Sequence, residues 1–157
     1  MNLAYFQLID RIVTLSTDDR TIRCEAVVPR TNTIFDGHFP GYPLMPGVLL
    51  IEAMAQTSGW LVIALTQFER MPFLAAVKQA KMRRFVSPGE RLAIDARMVH
   101  EGSGFAMTAA RIRIADQPVC DAEITFRLVP FPNDEFRSQM EAAARRLEFP
   151  MKAATDG

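Results

Sequence analysis

Four stretches of the chain alternate apolar and polar residues with a period of two. Ile22, Cys24, Ala26 and Val28 alternate with Thr21, Arg23 and Glu25, and Leu92, Ile94, Ala96 and Met98 with Arg91, Asp95 and Arg97. Thr108, Ala110, Ile112 and Ile114 enclose Arg111 and Arg113, and Cys120, Ala122, Ile124, Phe126 and Leu128 alternate with Asp121, Glu123 and Arg127. Successive side chains of a strand point to opposite faces, so these stretches predict an antiparallel sheet with one apolar and one wet face. Turns are expected at Ser87-Pro88-Gly89, Gly102-Ser103-Gly104 and Asp116-Gln117-Pro118.

From Pro46 the pattern changes. Val48, Leu49, Leu50, Ile51, Met54, Trp60, Leu61, Val62, Ile63 and Leu65 are apolar around most of a helix circumference, and such a helix is buried on nearly all sides. Proline suits a first helical turn, where its missing N–H costs nothing. The segment also holds Glu52, Gln56, Ser58 and Gly59. A carboxylate in hydrocarbon costs roughly 2.5–3.5 kcal/mol, so a buried core helix is expected rather than membrane insertion. One long buried helix and five or six strands have one compact solution, an α+β fold in which the sheet wraps the helix. Near the C-terminus Phe136, Met140, Ala143, Ala144 and Leu147 fall at helical spacing, with Arg137, Glu141, Arg145 and Arg146 elsewhere. This predicts a short amphipathic helix docked on the body or on a neighbouring subunit.

The candidate chemistry lies where the loop meets the long helix. His38-Phe39-Pro40-Gly41-Tyr42-Pro43 and Met45-Pro46-Gly47 form a loop dense in proline and glycine, which reads as rigid and specific. Glu52 and Gln56 are four residues apart and share a helix face. An apolar environment disfavours the ionised carboxylate, which would let Glu52 donate a proton near neutral pH. The plainer alternative is a helix-edge glutamate paired with an arginine or solvated. His38 reads either as a base or as a turn histidine bonded to a backbone carbonyl. Gly47 stands at the helix start, where unpaired N–H groups favour developing negative charge. Base, acid and oxyanion donor together suit proton abstraction next to a carbonyl.

As a whole, HFPGYPLMPGVLLIEAMAQ closely resembles the signature of the 3-hydroxyacyl-[acyl carrier protein] dehydratases of FabZ type, and more loosely that of FabA. Outside it, Phe6-Gln7-Leu8-Ile9-Asp10-Arg11-Ile12 looks like that family's first strand and Ala80–Glu90 like its strand and turn after the helix. Val119-Cys120-Asp121-Ala122-Glu123 looks like its last strand, and the similarity spans about residues 5–129. The chain departs from the family in starting almost at the strand, without the usual covering helix, and in its C-terminal extension. The resemblance implies a hot-dog fold over residues 1–132; the amphipathic helix and tail over 133–157 are read from the chain's own spacing, within the same single domain. The resemblance also implies dehydration of a (3R)-3-hydroxyacyl thioester on acyl carrier protein. In that scheme His38 takes the α-proton, the Gly47 N–H steadies the enolate, Glu52 protonates the departing hydroxyl and Gln56 orients Glu52. Phe39, Pro40, Pro46, Val48 and Phe73 would contact substrate. His38 and Glu52 of one site would come from different subunits, in a homodimer or a trimer of dimers. No metal or organic cofactor is implied, because the thioester itself acidifies the α-proton. Two rivals remain open: a hot-dog thioesterase in which Glu52 activates water, and a non-catalytic carrier-binding subunit of a heteromeric dehydratase.

Composition narrows the partners. The 157 residues are 49% hydrophobic and 23% charged, and 18 basic residues balance 18 acidic ones. A zero net charge gives no bulk attraction to nucleic acid or membrane. Locally, Lys78, Lys81, Arg83 and Arg84 form the densest basic cluster, read either as a solvated strand face or as a docking site for an acidic carrier protein and its phosphopantetheine phosphate. Cys24 and Cys120 lack metal-ligand spacing and read as buried thiols of a cytoplasmic protein rather than a disulfide. Asp10 and Arg11 interrupt the N-terminus before a signal-peptide core could form. The other histidine, His100, is expected to be solvated.

Overall fold

Each alternating stretch becomes a strand whose apolar side faces one long helix. The computed structural model of the chain describes residues 1–150. Its strands are β1 (Arg11–Ser16), β2 (Thr21–Val27), β3 (Arg70–Met82), β4 (Arg91–Gly102), β5 (Phe105–Ile114) and β6 (Gln117–Pro130). They form one six-stranded sheet in the order β1-β2-β4-β5-β6-β3, with every neighbouring pair antiparallel. The helices are α1 (Ile34–Gly37), α2 (Gly47–Leu65) and α3 (Asp134–Arg146), after a 3-10 turn at Leu3–Tyr5. The sheet curls around α2, which is the hot-dog arrangement.

Packing explains the curl. Leu50, Met54, Leu61, Val62 and Ile63 of α2 meet Cys24, Leu92, Ile94, Ile112 and Ile124 of the sheet, all with 2% or less of their surface exposed. Burying each such side chain contributes about 1.5–3 kcal/mol. Two polar side chains inside this core satisfy one another, Thr108 Oγ1 lying 2.9 Å from Ser58 Oγ, as burial requires.

The structure corrects the expected boundaries in four places. The first strand begins at Arg11, not at Phe6. Phe6 has φ 56°, outside the extended region, and Gln56 supplies the partners of Phe6 O and Leu8 N. Pro46 caps α2 from outside with ψ 133° and is not in its first turn. The turn expected at Asp116-Gln117-Pro118 falls at Ala115-Asp116, both with positive φ. Pro118 lies inside β6, opposite Arg113 where the register shifts, a bulge position at which a strand tolerates proline. Finally, β3 runs Arg70–Met82, so the strand expected from Ala80 lies mostly before that residue, and 83–90 are loop and turn. β3 is an edge strand exposed along most of its length, so no apolar–polar alternation marks it.

The tail helix α3 packs on the chain's own body. Ala144 is buried, and Met140, Ala143 and Leu147 rest against the core. Asn133 Oδ1 accepts from the Phe136 N–H at 2.7 Å, a side-chain N-cap. Residues 151–157 of the tail lie outside the described residues.

The outer face of the sheet holds Asp95 between two arginines. Arg23 Nε donates to it at 2.6 Å and Arg113 Nη2 at 2.8 Å. Burial pushes the Asp95 carboxyl up, but the two guanidinium hydrogen bonds outweigh it and hold the group below the usual carboxylate range. A lowered folded pKa gives stability that is present above the unfolded value and lost as pH falls through the folded one. Asp95→Asn is therefore expected to lower the denaturation midpoint at pH 7. In urea titrations across pH, the gap from the parent chain should close as pH drops below about 4. A gap constant with pH would show that the loss comes from packing.

Candidate active site

The loop before α2 is stiff because it bonds to itself. Phe39 and Tyr42 exchange two backbone hydrogen bonds at 2.9 Å, and Leu44 N donates to His38 O at 2.9 Å. Met45 N donates to Val86 O at 2.8 Å, tying the loop to the segment after β3. Gly41 has φ 73°, a left-handed conformation that suits glycine. The His38 ring stacks on Phe39 with centroids 4.1 Å apart, and its Nδ1 lies 3.0 Å from Leu44 O. A carbonyl only accepts, so Nδ1 carries the proton and Nε2 keeps its lone pair. The bond to a backbone carbonyl, which on sequence alone suggested a passive turn histidine, thus fixes the tautomer that a base needs.

Gly47 is the first residue of α2, with Pro46 as its N-cap. Helix geometry leaves the first N–H groups without intrahelical acceptors. The Met82 side chain lies over this glycine, and a Cβ there would sit 3.6 Å from Met82 Cγ and Sδ. One turn and a half further on, about 7.5 Å along the axis, comes Glu52. Gln56 Nε2 donates to Glu52 Oε1 at 3.1 Å and to Phe6 O at 2.9 Å, while Gln56 Oε1 accepts from Leu8 N at 3.1 Å. One amide thereby holds the carboxyl and the N-terminal segment together.

Glu52 and Gln56 face a cavity of about 720 Å³, within the range of ligand pockets. Phe73 lines it, as do Phe6, Ala55, Gly59, Trp60, Ile63 and Phe126. Of the residues singled out in the sequence, Glu52, Gln56 and Phe73 meet there. His38, Phe39, Pro40, Pro46, Gly47 and Val48 are not among its lining residues. Phe39 and Val48 are exposed, Val48 to 72%. The walls missed in the sequence include Met140, Ala143, Arg146 and Leu147 of the tail. Their apolar stripe signalled docking but not what it would cover.

The basic cluster is partly neutralised. Arg83 pairs with Asp121 and Arg84 with Glu90. Lys78 and Lys81 lie on β3 opposite Glu123 and Asp121 and are exposed. Cys24 and Cys120 are buried and unpaired, and burial pushes both thiols up to about 12, so neither is a thiolate nucleophile at neutral pH. Among the described residues no His, Cys, Asp and Glu side chains converge as a metal site would require.

The family model described as a FabA-like domain matches residues 2–123. A 3-hydroxyacyl-[acyl-carrier-protein] dehydratase FabZ from Chloroflexus aggregans is 37% identical over 122 residues, covering 77% of this chain and 84% of its own. Among solved structures, the dehydratase heterocomplex ApeI:P from Xenorhabdus doucetiae aligns with a TM-score of 0.62 at 20% identity, over 88% of this chain and 91% of that one. A hypothetical thioesterase with coenzyme A from Streptococcus pneumoniae aligns at 0.60 and 17% identity, over 78% and 90%. At such identities the structural likeness speaks to the fold.

Gln56 has a structural load separate from any chemistry. Gln56→Leu strips the partners from Leu8 N and from the solvent-exposed Phe6 O; for the buried Leu8 N–H, a lost partner costs about 1–3 kcal/mol. Chemical denaturation should register that loss, and amide exchange at Leu8 should accelerate. Unchanged stability and unchanged exchange would show that the clamp is dispensable.

Proposed function

The chain belongs to the FabA-like family, and from that membership we propose that it dehydrates (3R)-3-hydroxyacyl thioesters on acyl carrier protein to trans-2-enoyl thioesters, in fatty-acid synthesis. The observation that carries the reading is the pairing of two pre-set groups. One is a histidine whose tautomer is fixed by Leu44 O, and the other a glutamate held by Gln56 at an apolar cavity. His38 Nε2 removes the α-proton, and the electron pair moves into the thioester carbonyl. The Gly47 N–H at the start of α2 stabilises that oxygen. As the electrons return to form the double bond, the C3 hydroxyl leaves with the Glu52 proton as water. The proton on His38 then passes to Glu52 through solvent, which resets both groups. Phe73 flanks the acyl group beside Glu52, while Phe39, Pro40, Pro46 and Val48 shape the approach on the His38 side. A thioesterase would use Glu52 alone and give the fixed His38 tautomer nothing to do.

The working unit in this reading is a homodimer. Among the described residues one edge of β3 has no partner strand, and Phe73, Leu74, Val77, Met82 and Phe85 are exposed along and after it. A long apolar edge of this kind invites strand addition. A two-fold axis through β3 exchanges its ends. The Val86 end, to which the His38 loop is tied, then comes beside the partner's Phe73–Leu74 end, where the Glu52 cavity opens. His38, which does not line its own chain's Glu52 cavity, would in this arrangement serve the partner's. The carrier docks by its acidic surface against Lys78 and Lys81, with Arg83 and Arg84 adding field beside their own carboxylates. Buried, unpaired thiols suit a reducing compartment such as the cytoplasm.

Mass spectrometry of the acyl group after incubation with 3-hydroxyacyl carrier protein tests the reaction. Loss of water is expected; release of free acid, or no change, overturns the proposal. His38→Ala and Glu52→Gln should each slow turnover by about 10² or more with unchanged unfolding midpoints. In the same assay, charge reversal at Lys78 and Lys81 should raise KM for the carrier-bound substrate and spare a short synthetic thioester. Equal losses with both would remove the docking role.

A further inference from the structure

Four residues lining the Glu52 cavity, Met140, Ala143, Arg146 and Leu147, belong to α3 and the residue after it, beyond the 2–123 segment that matches the family model. This wall is fixed in place. Ile12 N donates to Leu147 O at 2.8 Å, so the end of α3 bonds to the free edge of β1. Just after it, the Phe149 ring packs on Trp60 and Phe68 with centroids 5.9 and 5.3 Å away. Trp60 itself lines the cavity. The tail is therefore bolted to the same helix that bears Glu52.

The α2 side of the cavity is kept low at Gly59. Glycine inside a helix costs about 1 kcal/mol relative to alanine, yet packing does not demand it here. A Cβ would meet only Pro72 Cγ, at 3.5 Å, an ordinary contact. What the missing side chain preserves is open space in the cavity.

Glu52 marks where the C3 hydroxyl must lie if the dehydratase reading holds, and the present inference rests on that reading. Carbons beyond C3 then run along α2 from Glu52 past Gly59 to Ile63, a span of about 16 Å. On that path Trp60, eight residues beyond Glu52, packs on Phe149 just after α3, which sets the end of α3 beside the part of the cavity beyond Glu52. Short acyl groups end before reaching α3. We propose that Met140, Ala143 and Leu147 of α3 are specificity-determining residues, forming the wall against which the distal part of a long acyl chain packs and so setting the chain-length preference.

Paired variants that fill and empty this wall test the assignment. Ala143→Phe projects a ring into the cavity, with Ala143→Leu as the milder form should the larger one misfold. Met140→Ala removes volume. Dehydration of carrier-bound 3-hydroxyacyl chains of four and sixteen carbons is measured, alongside calorimetric binding of the matching saturated acyl-pantetheines. The filling variants should lower kcat/KM and affinity for the long chain relative to the short by about tenfold or more, and Met140→Ala should shift the ratio the other way. Folded variants that keep the parent's long-to-short ratio overturn the assignment, as does a parent chain that binds no sixteen-carbon ligand. A parent chain that binds both ligands but releases no water refutes the dehydratase reading alone, and the binding ratios still decide the role of α3.

Discussion

A helix that is apolar on almost every side cannot stand in water, and the rest of this molecule follows from covering it. The alternating strands supply the cover, each presenting its small and branched residues inward to Leu50, Met54 and Leu61. Because one sheet curls around the helix, its outer face is left to charge, and Arg23, Asp95 and Arg113 build their network there. At Glu52 and Gln56 that cover opens into a cavity rather than close packing. The proposed chemistry sits at that break in the wrapping.

In the proposed reaction that arrangement gives an acid–base pair with few moving parts. His38 is held in a loop that bonds to itself and stands just before the helix start. Glu52 is held by an amide that also pins the N-terminal segment. Positioning of this kind costs little reorganisation when the reaction occurs. In the proposed dimer, the edge strand β3, without a partner on one side among the described residues and lined with exposed aromatic and aliphatic side chains, is the joint through which a second copy completes the site.

Much of this was legible in the chain. Period-two alternation located β2, β4, β5 and β6, because each has one dry and one wet face. The run from Val48 to Leu65 gave α2 for the opposite reason, that it has almost no wet face. The Glu52–Gln56 pairing followed from four-residue spacing. What stayed hidden depended on contacts distant in sequence. Phe6–Asp10 reads as a strand by composition, but Gln56 captures its polar groups some fifty positions away. The edge strand β3 carries no alternation, since neither of its faces is fully covered within one chain. Pro118 suggested a turn, whereas a bulge in β6 accommodates it. Nothing in the tail's own pattern revealed that Met140 and Ala143 would border the Glu52 cavity, since that depends on where the helix lands.

The division of the site between two chains is the central claim, and mixed assembly tests it most directly. His38→Ala and Glu52→Gln chains, each inactive alone, are unfolded together, refolded and shown by native mass spectrometry to form mixed dimers. If each site draws its histidine from one chain and its glutamate from the other, random mixing restores about a quarter of the sites, and dehydration returns to about that fraction of the parent rate. No activity in a preparation proven to contain mixed dimers would mean that both groups of a site belong to one chain.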